Sequence, residues 1–553
     1  MQKYFFSFFI LFALTACDQT ATETVATTSI PEAAPAEAPI ELPVGVTLVE
    51  AFPGRPNELT VPFEKYVLDN GLTIVLHEDH SDPLVHVDVT YHVGSNREEP
   101  GRSGFAHFFE HMMFEGSANV EQGELSKKIS NAGGTLNGTT NSDRTNYYET
   151  MPANQLELAL WLEADRMGLL LPAISQEQFD IQRAAVKNER GQRIDNRPYG
   201  RVSETLMKNL YPAGHPYSWP TIGWIEDLNA ATLNDLKRFF LRWYGPNNAT
   251  LTIGGDIDPQ QTLEWVAKYF GPIPRGPEVE QMPKQQVQLS ENRYVTLEDN
   301  VHLPAIAMLF PTVYYNHPDE AALDAAVKVL GQGRTSLLYQ NLVQTGRAVS
   351  AYTSHACREL SCELMVVVIQ NPSSGETLAD METAILETMA EFVERGMNQD
   401  DLQKFLAGYE SSQVFSLQSV SGKVGTLAFS EVFFDNPKHV MDDINRYLEV
   451  TADEAVAAFD KYIVNKPAVV LSVVPMGQPE LAAKPQNYEL EEPQGLVQEP
   501  TVSPSLPGEP EPELRMPVDD FDRSIEPTPG SNPIVDLPPI WDTRLANGVR
   551  LLA

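Results

Sequence analysis

The chain has 553 residues, 42% of them hydrophobic, long enough for several domains at about 100–200 residues each. A formal net charge of −37 argues against nucleic acid as a partner and against electrostatic adhesion to anionic lipid, because both would repel it. After Cys17 only Cys357 and Cys362 remain, a usage that fits an oxidising compartment.

Residues 1–17 read as a processing signal: a positive start at Lys3, then an apolar run over 4–14 that is too short to span a bilayer. Leu14-Thr-Ala-Cys17 resembles the bacterial lipobox, in which cleavage precedes a cysteine that carries lipid. An ordinary signal peptide with a cysteine near its cleavage site is the other reading. Asp18 resembles the inner-membrane retention signal of enterobacterial lipoproteins, a rule that leaves inner and outer membrane both open elsewhere. The expected location is the periplasmic side of a cell envelope, held by lipid alone. Residues 18–58, rich in Ala, Pro, Thr and Glu with few aromatics, are expected to form a disordered tether.

Residues 63–76 read as strand, Asn-Gly turn and strand. Over 84–93 the alternation puts Val85, Val87, Val89, Tyr91 and Val93 on one face of a strand. His86 and His92 fall on the other face, as exposed or hydrogen-bonded histidines. Helices are expected over 156–170, 176–194 and 320–345. The order helix, turn, apolar strand occurs around 228–256 and again over 453–475, with Tyr244 and Tyr462 in similar places. The body therefore reads as two related α+β modules, 59–276 and 285–477. Cys357 and Cys362 lie between two strand-like runs, where a disulfide stapling a hairpin and two reduced thiols are both open. Residues 478–540 form a Pro/Glu-rich linker with 13 acidic against 3 basic residues. Residues 541–553 repeat the pattern of 63–76, as expected for the start of a third module in a truncated chain.

The stretch 104–117, GFAHFFEHMMFEGS, carries the chemistry. His107 and His111 are four apart, so on a helix both imidazoles project from one face and can reach one ion. Zinc suits imidazole nitrogen and carboxylate oxygen, with three protein ligands and an open position in a catalytic site. Glu110 shares that side of the helix and is placed to take a proton from water activated by such an ion. A third ligand is required. Glu189, 78 residues past His111 in a helix-compatible segment, is the candidate, although a glutamate in such a segment is more commonly solvated.

Together with the stretches 133–148, 215–217, 244–249 and 331–339, this motif set resembles the pitrilysin/insulinase family of zinc metallopeptidases. The resemblance covers about 60–477 and resumes at 541. It implies two homologous modules, each a mostly antiparallel sheet packed with helices. It implies one Zn2+ per chain held by His107, His111 and Glu189, with Glu110 as general base. The family often has a glutamate seven residues before the third ligand. Here Gln182 stands there, and a neutral amide can support the site by hydrogen bonding but adds no charge. The stretch 134–148 resembles the edge strand along which substrate peptide pairs, making Asn137, Gly138 and Thr139 candidates for backbone contact. A plain Gly/Asn turn is the other reading. Family members close two halves like a clamshell, the second half bringing an arginine and a tyrosine to the scissile carbonyl. Those roles are not carried onto Arg334 and Tyr339. The expectation is an envelope-anchored zinc endopeptidase acting on peptides or unfolded polypeptide, and needing a C-terminal half or a homologous partner chain for activity. The alternative is a non-catalytic member serving as a peptide-binding or assembly module.

Overall fold

Two sheets with one strand order organise the chain. The computed structural model describes residues 41–55, 58–490, 512–533 and 540–552. The signal segment, Cys17 and residues 18–40 lie outside the described residues. The first sheet comprises β1 (Val46–Phe52), β2 (Phe63–Leu68), β3 (Thr73–Glu78), β4 (Leu84–Tyr91), β5 (Thr135–Thr140), β6 (Thr145–Pro152) and β7 (Ala249–Gly255). Its order is β1-β2-β3-β7-β4-β6-β5, and only the β3–β7 pair is parallel. The second sheet comprises β8 (Arg293–Asp299), β9 (Ala305–Pro311), β10 (Ala348–Cys357), β11 (Cys362–Gln370) and β12 (Val469–Pro475). Its order is β10-β11-β9-β12-β8, with only β12–β8 parallel. Read outward from the parallel pair, β3-β7-β4-β6-β5 matches β8-β12-β9-β11-β10 strand for strand. The repeat seen in sequence is therefore a repeat of topology.

The helices follow the same plan. In the first module they are α1 (Phe105–Met112), α2 (Glu124–Asn131), α3 (Leu156–Leu169), α4 (Gln176–Arg190), α5 (Val202–Leu210), α6 (Ile225–Ala230), α7 (Leu233–Trp243) and α8 (Pro259–Phe270). The second module has α9 (Glu320–Gly331), α10 (Leu378–Arg395), α11 (Gln399–Ser416), α12 (Val420–Phe434), α13 (His439–Leu448) and α14 (Ala452–Tyr462). Five helices, α3 to α7 or α10 to α14, thus separate equivalent strands. The last of each five begins with the same device, a reciprocal capping box between Thr232 and Asp235 or between Thr451 and Glu454.

The third helix of each five is exchanged. Leu206 and Leu210 of α5, with Tyr211 and Tyr217, share a core with Val295, Leu309, Val469 and Leu471 of the second sheet. In return Leu427 of α12, with Leu417, packs on Phe63 and Val75 of the first and on Val61 just before β2. Lys65 of β2 reaches Glu431 at 2.6 Å and Asp435 at 2.5 Å, pinning α12 in place. Covered on both faces, β7 and all of β12 but its last residue are buried. The same cover buries β4 from its second residue onward, on both faces. Its polar side chains are satisfied internally: His86 Nδ1 lies 2.8 Å from Thr150 Oγ1, and Asp88 accepts from Asn146 at 2.6 Å. His92 reaches Glu359 of the second module at 2.8 Å.

Other expectations change. The tether is not featureless through residue 58, because Val46–Phe52 pairs antiparallel with β2. Its VTLVEAF run is strand-forming, but the surrounding Ala/Pro composition hides it. The linker is not free throughout either. Residues 512–533 lack regular structure yet lie docked on the first module. Trp161 donates its indole N–H to the Arg523 carbonyl at 2.9 Å, and Arg523, 5% exposed, donates to the Tyr269 carbonyl at 3.0 Å. Pro-rich chain cannot join a ladder, but it still buries Arg523 against the first module. The helix expected over 320–345 stops at Gly331, and a π-helical turn follows at Tyr339–Val343. Cys357 and Cys362 face each other across the β10–β11 turn and form a disulfide. Near the end, β13 (Asp542–Arg544) and β14 (Arg550–Leu552) make a hairpin turning at Gly548, as β2 and β3 turn at Gly71. Among the described residues no helix is long and apolar enough to cross a membrane.

Candidate metal centre

The start of α1 is set by two close approaches. Buried Glu98 accepts from the backbone N–H of Gly104 at 2.9 Å and of Ala106 at 2.8 Å, filling the role of a cap. Gly104, at φ 90°, lies so near Gly223 that an added Cβ would sit 2.8 Å from its Cα. One face of α1 then packs through aromatic rings: Phe105 on Phe239, Phe109 on Phe240 of α7, and Phe108 on Phe179 of α4 with ring centres 5.0 Å apart. Burying that face leaves His107, Glu110 and His111 half-buried on the other.

The helix that brings Glu189 is anchored to the same loop. Arg190, its neighbour, donates to the Gly223 carbonyl at 3.1 Å and pairs with Glu204 at 3.0 Å. Beyond Arg190 the chain continues as a π-helical turn, Gly191–Asp195, a distortion common at functional sites. Gly223 thus touches the beginning of α1 and the end of α4.

The consequence is convergence. Glu189 Oε2 lies 3.7 Å from His107 Nε2 and 3.2 Å from His111 Nε2, and one donor atom from each residue falls within 4.8 Å of the others. Tetrahedral zinc with bonds of about 2.0–2.1 Å sets neighbouring donors about 3.3 Å apart, so the His–Glu separations suit one shared ion. Two imidazole nitrogens and a carboxylate oxygen are also a donor set that zinc takes. Burial, with His111 alongside, holds the His107 pKa down at about 4. It is therefore neutral, the ligating form. Glu189 pairs its other oxygen with Arg193 at 2.9 Å. A second donor cluster, His355 with Cys357 and Cys362, has both sulfurs tied in the disulfide.

Burial pushes the Glu110 carboxyl up, against a hydrogen bond to the side chain of Thr140 that acts to lower it. Thr140 ends β5, the free edge of the first sheet. Of the three expected edge residues, Thr139 is occupied internally, its hydroxyl on Asn146 at 2.6 Å and its carbonyl on Arg144 at 3.0 Å. Asn137 Oδ1 accepts from the Gly138 N–H at 2.9 Å. Gly138 packs closely, since a Cβ there would lie 3.1 Å from the Phe114 and Tyr147 rings. Gln182 does approach the site: its Oε1 is 3.3 Å from His111 Nδ1, and its Nε2 donates to Glu115 Oε1 at 2.5 Å. Arg334 is exposed and Tyr339 opens the π-helical turn, both in the second module. Sequence reasoning singles out neither Glu115 nor Thr140. For Glu115 the only signal was a carboxylate four residues past His111, and α1 ends at Met112, so helix periodicity does not place it.

Over residues 73–219 the chain matches a family described as Insulinase (Peptidase family M16), and over 230–409 one described as Peptidase M16 inactive domain. All four residues of the centre fall in the first span. The chain is 29% identical over 405 residues to the zinc protease PqqE of Helicobacter pylori, covering 72% of this chain and 90% of that protein. Its fold matches the crystal structure of a protease from Helicobacter pylori with a TM-score of 0.70 at 27% identity, covering 75% of this chain and 100% of the other. Pitrilysin shares the fold at a TM-score of 0.63 and 18% identity, over 78% of this chain and 47% of pitrilysin. The two-module body thus corresponds to nearly all of one relative and about half of another. Matches to two M16 domains that together span more than half the sequence, and a shared two-module fold, lead to one conclusion: the chain belongs to peptidase family M16, the insulinase family.

Proposed function

We propose that the chain is a zinc-dependent metalloendopeptidase that hydrolyses peptides or unfolded protein segments at a bacterial cell envelope. The observation that carries this reading is the convergence of His107, His111 and Glu189, with Glu110 on the same helix face. These three residues would hold one zinc ion, which when bound supplies Lewis acidity and lowers the pKa of water. Glu110 is the general base. It takes a proton from the water that attacks the scissile carbonyl carbon, then delivers it to the amine nitrogen as the C–N bond breaks. Thr140 orients that carboxylate from the end of β5. A substrate strand laid along this free edge gains main-chain hydrogen bonds with little sequence demand, and Asn137, Gly138 and Thr139 form its middle. The lipobox at Cys17 supports attachment by lipid. The partial coverage of pitrilysin supports closure of the site by a further half or a homologous partner chain.

The test is hydrolysis of a fluorogenic peptide pool by the full chain and by Glu110→Gln. Turnover should fall by about 10²–10⁴-fold in the variant, with zinc content unchanged. Equal turnover in both removes Glu110 as the base. A zinc-loaded wild type that binds these peptides and cuts none, alone or with a closing half or partner chain supplied, identifies a peptide-binding module instead.

A further inference from the structure

The outer support of the centre runs through a residue that neither the motif nor the family comparison assigns. Glu115 closes a chain of hydrogen bonds to His111. Its carboxylate accepts from Gln182 Nε2 at 2.5 Å through one oxygen and from Gln122 through the other, while Gln182 Oε1 faces His111 Nδ1 at 3.3 Å. Each link follows from the one before. A carboxylate offers only acceptors, so the amide of Gln182 must turn its NH2 toward Glu115. Its oxygen is then left for His111, so Nδ1 must be the nitrogen that donates. With the proton on Nδ1, the lone pair of His111 is on Nε2, the atom 3.2 Å from Glu189. The charge missing from Gln182 is thus present one residue further out.

We propose that Glu115 is a positioning residue: acting through Gln182, it selects the His111 tautomer that presents Nε2 and supplies the negative charge that strengthens this imidazole as a ligand. The inference rests on the zinc reading above. His107 has no such device, since its Nδ1 is buried with no hydrogen-bond partner among the described residues. The support falls on one histidine only.

The experiment measures zinc affinity of the full chain by chelator competition, with cobalt(II) absorption as a second readout of the ligand field. The variants are Glu115→Gln, Gln182→Glu and the double variant carrying both. Outer partners of metal-bound histidines are worth about 10–100-fold in affinity, so Glu115→Gln should weaken zinc binding by about tenfold or more. Gln182→Glu alone sets two carboxylates against each other and should also weaken it. The double variant exchanges the charge and the amide, and should restore affinity to within about threefold of wild type. If Glu115 only braced the loop through Gln122, the double variant would bind as weakly as Glu115→Gln, which overturns the proposal. Wild-type affinity in Glu115→Gln overturns it equally while leaving the zinc reading intact. A wild type that binds no zinc removes both. Melting temperatures of the metal-free proteins are measured alongside; should Glu115→Gln fail to fold, Gln182→Leu removes the acceptor on Nδ1 and must show the same loss.

Discussion

Asp88 and Glu110 are both carboxylates withdrawn from water, and the first shows what burial does where no reaction uses it. Asp88 sits on central strand β4, 2% exposed, accepting from Thr90 and Asn146. Burial raises its pKa from 3.8 to about 6, the two hydrogen bonds and nearby Arg144 offsetting only part of the cost. The folded protein therefore holds this proton where the unfolded chain has lost it. Its stabilising contribution is complete below the unfolded value and is lost as pH rises through about 6. His86, two residues away, runs the other way. Burial lowers it to about 4, so its contribution is present above the unfolded value and is lost as pH falls through about 4. Thermal melts from pH 4 to 7 should show Asp88→Asn losing less stability than wild type as pH rises between about 4 and 6. Parallel curves for the two proteins would show that Asp88 ionises normally.

At the scale of elements, the centre depends on two helices meeting at one glycine. Gly223 has φ 82°, and a Cβ there would lie 2.5 Å from the Ser103 carbonyl oxygen and 2.6 Å from Gly104 Cα. Gly223→Ala should therefore cost more than about 1 kcal/mol in urea unfolding. It should also separate α1 from the end of α4 and weaken zinc binding; wild-type zinc affinity would show that this loop does not set the geometry. What was legible in sequence follows from the same distinction between near and far. The helix face of His107, Glu110 and His111 is local, set by spacing of three and four residues. The Asn-Gly turns and the order of helix, turn and apolar strand are local as well, so the repeat could be read. Glu115 meets Gln182 across 67 residues, and no period records that contact. Edge strand β1 was hidden by composition averaged over a longer window. The docking of residues 512–533 depends on Trp161 and Tyr269, hundreds of positions earlier.

At the scale of the molecule, the two modules are not independent. Each lends its third helix to the other's sheet, so cutting between them would expose a sheet face on both sides. Glu189 lies just before this exchange: α4 ends one residue later, and the chain passes through the π-helical turn into α5, embedded against the second sheet. The second module thereby holds the far end of the segment that carries Glu189. The most direct test of this account is the zinc content of the purified full chain after metal removal, reloading and dialysis. The account predicts one zinc per chain for wild type and a loss of about tenfold or more in affinity for Glu189→Gln, with the fold unchanged by circular dichroism. Zinc held equally well by Glu189→Gln, or a folded wild type that holds none, would contradict it.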